Sequence, residues 1–161
     1  MRYIGSKNRI LKFIESVIDE TYGNVSNAVF ADLFSGTACV AELFKQKGAK
    51  IISNDYLHFS YALQVAKIRV NSIPRCKVSY EDAINILNEL EGIEGFFTKE
   101  YTIEGAANRN YSRNYFSYTN AKKIDAMCSQ LKRWLSSGEI NTDMYYLLCA
   151  SLIDPYLPNP V

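Results

Sequence analysis

Two aspartates and a turn of small residues are the parts of this chain best suited to chemistry. Asp32 follows the β-rich run "NAVFA" and precedes the turn "SGTACV", whose single glycine is Gly36. Asp55 lies twenty-three residues further on, after a second such run, "AKIISN". A carboxylate at a strand end can accept both hydroxyls of a ribose. A second carboxylate beside it repels phosphate and attracts an ammonium group.

The glycine pattern of the turn disfavours phosphate-bearing ligands. A dinucleotide site would need G-x-G-x-x-G, and a P-loop would need a Gly-Lys-Ser/Thr ending. Neither is present. Taken singly, each aspartate is better explained as a helix cap or a solvated loop residue. As a pair at two strand ends they favour a cationic, ribose-bearing ligand without phosphates, and S-adenosylmethionine fits that description. A nicotinamide-binding protein is the disfavoured alternative.

The elements around these residues predict an α/β unit. Apolar spacing from Ile10 to Ile18 predicts a helix with one buried face. A strand, the small-residue turn, a helix capped by Gly48 and a second strand follow within about thirty residues, which is a βαβ unit with parallel strands. A second crossover helix is expected to end before Pro74.

The rest of the chain is predicted to be mostly helical. Helices are expected over "SYEDAINILNELEG", over "TNAKKIDAMCSQLKRWLSSGEI" with a Thr or Asn cap, and over the apolar "TDMYYLLCASLI". The segment between the first two, "FFTKEYTIEGAANRNYSRNYFSY", shows no clean period. We therefore predict a cofactor-binding region over 1–73 and a helical insertion with a C-terminal helix and tail over 74–161.

Composition narrows the class of protein. A chain of 161 residues that is 48% hydrophobic has room for a real core, and its net charge of +1 leaves any attraction to nucleic acid to a local patch. Four dispersed cysteines and one histidine suit neither a zinc site nor a disulfide framework. We expect reduced thiols, a cytoplasmic location, no metal and, since no apolar run approaches ~20 residues, no membrane partner.

Five segments resemble the Dam-like class of DNA adenine-N6 methyltransferases and follow that family's order along nearly the whole chain. They are "RYIGSKNRIL", "DLFSGTACV", "ISNDYLHFSY", "RNYFSYTNAKKIDAMCSQLKRW" and "YYLLCASLI". The resemblance implies a Rossmann-like methyltransferase fold, here with an incomplete parallel sheet and a helical insertion that faces DNA. It also implies a site-specific adenine-N6 methyltransferase of the restriction-modification kind, with S-adenosylmethionine as cofactor and double-stranded DNA as partner.

The resemblance also implies which residues bind the cofactor. The aromatic and the lysine of the N-terminal motif meet its methionine end, the turn after the first strand holds it, and the second acid binds its ribose beside an aromatic that faces the adenine. In this chain those residues are Tyr3, Lys7, Asp32, Phe34, Gly36, Asp55 and Tyr56. The family usually has a second glycine where this chain has Ala38. His58, the lone histidine, is interpreted as structural, because this chemistry asks for no imidazole.

A basic, aromatic stretch from Gly105 to Arg133 is the candidate DNA contact. It carries six cations against one acid, Asp125, with tyrosines and a phenylalanine interleaved, so it can contact phosphates and stack on bases. The alternative is a solvated helix face, and for the lysines of this stretch both interpretations stay open. Arg109 and Arg113 lie in the irregular part and are the predicted DNA-binding residues.

The catalytic motif that the family implies is Asp-Pro-Pro-Tyr, on a strand beside the first one. Asp154-Pro155-Tyr156 approximates it, but it directly follows a helix, and we interpret it as a chance resemblance. We therefore assign no catalytic residue and expect a chain that ends before the catalytic strand. Two hypotheses follow besides an active methyltransferase: an inactive cofactor- or DNA-binding remnant, or one half of a split enzyme. A homodimer or a second chain is expected to complete the sheet.

Overall fold

A computed structural model describes residues 6–107 and 113–154. Within that part the backbone forms two strands and seven α-helices. In chain order they are α1 Leu11–Thr21, β1 Val29–Asp32, α2 Cys39–Gln46, β2 Lys50–Ser53, α3 His58–Gln64, α4 Tyr80–Glu89, α5 Phe96–Tyr101, α6 Tyr118–Ser137 and α7 Thr142–Ile153. A 3₁₀ turn over Lys7–Ile10 precedes α1, and a π-helical turn over Val65–Arg69 extends α3.

The chain divides into two compact units. Unit 1 contains the described residues up to Pro74 and those from Tyr146 onward, and unit 2 contains the described residues from Arg75 to Tyr145. The grouping into a cofactor-binding region over 1–73 and an insertion over 74–161 stays a prediction.

The sheet of unit 1 confirms the predicted parallel pair. β1 and β2 run side by side, with Phe30 opposite Ile51 and Asp32 opposite Ser53. Because paired residues of neighbouring strands share a face, Phe30 and Ile51 point to the same side. On that side Phe30 stacks on Phe44 of α2, with ring centroids 4.1 Å apart.

The core of unit 1 forms between this face and the two helices that flank it. Its buried side chains come from the loop before β1, from α2 and from the residue before β2, and α1 adds a half-buried apolar stripe. The members are Val25, Cys39, Val40, Phe44 and Ala49, with Leu11, Ile14, Ile18, Ala28, Phe30, Leu43 and Ile51 packed against them. The opposite face of the sheet is exposed: 66% of Val29 and 56% of Ile52 are accessible.

Unit 2 is helical, and two of its features differ from the sequence predictions. The aromatic segment without a clean period contains a short helix, α5, at its start. The cap predicted for α6 is wrong. The helix begins at Tyr118, and the hydroxyl of Ser117 accepts the amide of Asn120 at 3.3 Å, so the cap lies before the predicted Thr or Asn. Both Thr119 and Asn120 therefore lie inside the first turn.

Candidate functional site

The carboxyl ends of β1 and β2 form the candidate site. Since Asp32 pairs with Ser53, the turn after β1 and the residues after β2 meet at one edge of the sheet. Backbone hydrogen bonds join them: the amide of Asn54 donates to Asp32 O, and the amide of Ser35 donates to Asn54 O, both at 2.9 Å. The Asn54 side-chain amide also donates to Leu33 O at 3.1 Å. The two turns therefore form one continuous rim.

Asp55 fastens this rim from the β2 side. Its Oδ2 accepts the backbone amide of Gly36 at 2.8 Å, and its Oδ1 accepts the amide of Leu57 at 3.0 Å. Burial opposes ionisation of Asp55, but these hydrogen bonds outweigh it and lower the pKa of the carboxyl below its ordinary value.

Asp32 lies at the other side of the rim and is only 8% exposed. The Nζ of Lys7 lies 3.5 Å from its Oδ1 and donates to Phe34 O at 2.6 Å. The second oxygen, Oδ2, is buried and accepts no hydrogen bond from any described residue. The hydroxyls of Ser35 and Thr37, in the same turn, are also buried and have no hydrogen-bond partner in the described residues.

Buried polar atoms that have no hydrogen-bond partner in the described residues cluster in this one turn. Leaving a buried donor or acceptor without a partner costs about 1–3 kcal/mol, so such groups usually meet water or a ligand. Three of them, from Asp32, Ser35 and Thr37, lie within six consecutive residues. The carboxylate is an acceptor for a cation, and the hydroxyls can donate or accept. This donor set fits the ammonium end of an amino-acid-bearing nucleoside.

The turn adopts a left-handed backbone twice before α2 begins. Gly36 has φ +54° and Ala38 has φ +61°. Ala38 is fully buried, and its amide donates to Ser35 O at 2.8 Å. The alanine that replaces the family's usual glycine is thus accommodated in a conformation that favours glycine, at a cost of the order of 1 kcal/mol.

Two aromatic side chains stand exposed at the rim. Phe34, in the turn after β1, is 81% accessible, and Tyr56, directly after Asp55, is 97% accessible. Both rings therefore present apolar surface to solvent beside the polar groups of the rim. Both are residues that the resemblance implies for the cofactor.

A cavity of about 520 Å³ extends from the rim along β2. Its lining runs from Asp55 past Tyr61 to Arg69, whose guanidinium donates to the Tyr61 hydroxyl at 3.2 Å. Gln64 also lines it, is 6% exposed, and has a buried Nε2 without a hydrogen-bond acceptor in the described residues. Gln64, Ser35 and Thr37 were not among the predicted site residues, because only burial distinguishes them from ordinary polar residues.

The structure thus brings most of the predicted cofactor residues to one edge of unit 1. Those it brings together are Lys7, Asp32, Phe34, Gly36, Asp55 and Tyr56. Tyr3 lies outside the described residues. Their roles toward a cofactor stay predictions. His58 begins α3 and is exposed.

In unit 2, the described basic residues differ in what they contact. Lys123 donates to the carbonyl of Leu90, directly after α4, so this lysine helps to end a helix. Lys122 lies over the ring of Tyr118, with its Nζ 5.5 Å from the centroid. Arg113 lies over Tyr101 at 5.4 Å. Arg109 lies outside the described residues.

The one acid of the basic stretch has a structural role. The Asp125 carboxylate accepts the backbone amides of Phe97 and Thr98 at 2.9 and 2.8 Å and the Thr98 hydroxyl at 2.7 Å. Burial raises the pKa of Asp125, and these bonds more than offset that, so its pKa lies below the ordinary value. Asp125 thereby caps α5 from α6. A side chain at Gly95 would collide with it, since a Cβ there would lie 2.7 Å from the carboxylate.

The described residues contain no grouping of three His, Cys, Asp or Glu side chains that could hold a metal ion. None of their helices is long and apolar enough to cross a membrane. The four cysteines, all in the described part, remain thiols.

Comparison with known proteins identifies the family to which this chain belongs. Residues 3–156 match the family of D12 class N6 adenine-specific DNA methyltransferases, and the chain is a member of that family. The resemblance noted from the sequence is therefore confirmed.

Three curated relatives make the relationship more specific. The chain is 35% identical to the Type II methyltransferase M.NlaIII of Neisseria lactamica, with 96% of this chain and 44% of that protein covered. It is 38% identical to the Type II methyltransferase M.FokI of Planomicrobium okeanokoites, with 99% and 25% covered. It is 36% identical to the modification methylase StsI of Streptococcus sanguinis, with 99% and 24% covered. The chain thus spans between about a quarter and a half of each relative's length, and no solved structure gives a significant match.

Proposed function

We propose that this chain binds S-adenosylmethionine at the rim of unit 1 and double-stranded DNA through unit 2, and that it serves the site-specific methylation of adenine N6. The observation that carries the proposal is the buried Asp32 oxygen, which accepts no hydrogen bond from the described residues, a few residues from the Gly36 turn held by Asp55. Family membership supports the reaction class. The cofactor, when bound, supplies an electrophilic methyl group on a sulfonium centre.

Each residue of the rim has a proposed role that its contacts support. Asp32 accepts the cofactor's ammonium group, and Lys7, 3.5 Å from it, pairs with the cofactor's carboxylate. Asp55 accepts the ribose hydroxyls while it holds the Gly36 amide. Tyr56, which is almost fully exposed, lies against the adenine, and Phe34 provides a second apolar surface. Tyr3 is proposed to meet the methionine end with Lys7.

For DNA we propose Arg113 and Arg109 as contacts of unit 2. Arg113 is supported by its position over Tyr101, which also contacts the exposed ring of Tyr115 with centroids 5.7 Å apart. A guanidinium on an aromatic surface can neutralise phosphate and stack on a base. The insertion as a whole is proposed to face DNA.

Further polypeptide, either a second copy or another chain, is proposed to complete the sheet and to cover its exposed face. The exposed apolar face at Val29 and Ile52 supports this, because parallel sheets are normally covered on both faces. Light scattering at high concentration tests self-association: a species larger than a monomer is expected. A strict monomer would contradict the dimer. A second chain would then be tested by co-expression with a fragment that carries an Asp-Pro-Pro-Tyr motif.

The cofactor proposal is tested by calorimetry on the chain with S-adenosylmethionine and with a nicotinamide dinucleotide. We expect binding of the first and none of the second. Asp32→Asn should weaken binding of S-adenosylmethionine by about tenfold or more, since a charge-assisted contact contributes about 1.5–3 kcal/mol. Asp19→Asn is the matched control. Asp19 lies on α1, and this change also removes a carboxylate that pairs with a lysine, Lys47. Equal affinity in Asp32→Asn and wild type, or preference for the dinucleotide, would refute the proposal.

A further inference from the structure

Lys7 is placed where the cofactor's own ammonium group is proposed to lie. Its Nζ donates to Phe34 O at 2.6 Å and lies 3.5 Å from Asp32 Oδ1, so one ammonium already faces both acceptors. Its side chain is 33% exposed, whereas that of Asp32 is 8% exposed. Lys7 is therefore the more accessible partner of this ion pair.

The carboxylate of Asp32 needs a cation nearby. A buried carboxylate without a counter-charge is costly, and its Oδ2 receives no hydrogen bond from the described residues. Lys7 offsets part of that cost through a long contact to one oxygen only. A ligand ammonium that reaches Oδ2 would satisfy Asp32 more completely than Lys7 does.

Two ammonium groups beside one carboxylate repel each other. A ligand cation that enters would therefore push the Lys7 ammonium away from Asp32 unless a second anion arrives with it. An amino acid supplies that anion, since its carboxylate is bonded to the same carbon that bears its ammonium group. The lysine can then exchange one carboxylate for another with a small movement.

From this juxtaposition we infer that Lys7 is an internal counter-ion of Asp32 which the ligand ammonium displaces, and that the exchange selects ligands with both an ammonium and a carboxylate. The inference rests on the proposed function, because it concerns the same rim. It adds that Lys7 opposes binding of a cation that lacks a carboxylate.

Calorimetry with three compounds tests the inference. They are S-adenosylmethionine, its decarboxylated analogue, which keeps the ammonium and lacks the carboxylate, and 5′-methylthioadenosine, which lacks both. Wild type should bind S-adenosylmethionine most tightly. In Lys7→Met the decarboxylated analogue should bind about tenfold more tightly than it does to wild type, and S-adenosylmethionine about tenfold less tightly, while methylthioadenosine changes little.

Lys12→Met is the matched control, since Lys12 is exposed on α1 and its loss should change none of the three affinities. Should Lys7→Met not fold, Lys7→Gln carries the same prediction. The inference alone is overturned when wild type binds S-adenosylmethionine but the lysine variants bind the decarboxylated analogue no more tightly than wild type does. Failure of wild type to bind any of the three compounds overturns the proposed function, and the inference with it.

Discussion

Replacement of Asp55 by alanine gives the sharpest test of the proposed cofactor site, because this carboxylate has one observed structural role and one proposed binding role. It holds the Gly36 and Leu57 amides at 2.8 and 3.0 Å, and it is proposed to accept the ribose hydroxyls. A simple loss of affinity in Asp55→Ala would not distinguish them, since release of the Gly36 turn also disturbs Asp32 and its surroundings. The ligand must therefore be varied together with the protein.

The magnitudes can be worked out from these contacts. Asp55 is half-buried, so water can reach the freed amides, and loss of the two bonds should cost about 1–2 kcal/mol of folding free energy. Two hydroxyl bonds to a carboxylate at the lower end of the usual range, about 1.5 kcal/mol each, contribute about 3 kcal/mol to binding, or about a hundredfold in Kd.

The assay is a double-mutant cycle by calorimetry, with wild type and Asp55→Ala each titrated with S-adenosylhomocysteine and with its 2′,3′-dideoxy analogue. If Asp55 touches the ribose, removal of the hydroxyls should weaken binding to wild type by about a hundredfold and to Asp55→Ala hardly at all. A coupling energy below about 0.5 kcal/mol would show that the acid acts only by holding the Gly36 turn, and would refute the ribose assignment.

Three further outcomes are expected. Asp125→Asn should destabilise the protein by about 3 kcal/mol, because buried donors then lose a charged acceptor. Glu89→Gln, at an exposed position of α4, should leave the melting temperature unchanged. Folding lowers the pKa of Asp125, so its carboxylate stabilises the protein fully above the unfolded-state pKa. This stabilisation is lost as pH falls through the folded-state pKa. Thermal melts of wild type and of Asp125→Asn should therefore converge in acid. Ala38→Val should cost about 2 kcal/mol or more in urea unfolding, because a β-branched residue at φ +61° in a fully buried position is strained; an unchanged midpoint would contradict the left-handed turn. Arg113→Gln should lower the salt dependence of duplex binding by about one phosphate contact, measured by fluorescence anisotropy, while Lys123→Gln should reduce stability and leave that slope unchanged; the reverse pattern would mean that the two roles are exchanged.

The sequence predicted the backbone of unit 1 well, because its signals are local. Apolar periodicity predicted α1, and Gly48, predicted to cap the next helix, has φ +85° and follows α2. A strand, helix and strand in close succession leave few topologies, so the parallel pair followed from connection rules. The same rules place Asp32 and Asp55 at one edge of the sheet.

Unit 2 shows where such signals fail. The helix α5 has only six residues, too few for a periodic pattern, and its first amides are capped by Asp125 from 28 positions away in the chain. Counted by composition, Asp125 was the lone acid among cations, and Lys123 was one of those cations. In the fold both are structural, since Lys123 donates to the carbonyl of Leu90.

By itself, then, the sequence determined the family, the βαβ order and the pair of acids at the strand ends. These depend on residue type, on spacing along the chain and on the few connections that a parallel pair allows. Only the tertiary structure decided that Asp55 bonds the Gly36 amide, that Lys7 lies beside Asp32, and that Ser35 and Gln64 are buried with polar atoms unsatisfied in the described part. These contacts join residues about twenty or more positions apart, or depend on the shape of the solvent boundary. Packing free energy fixes such distances, and no local pattern of residues encodes them.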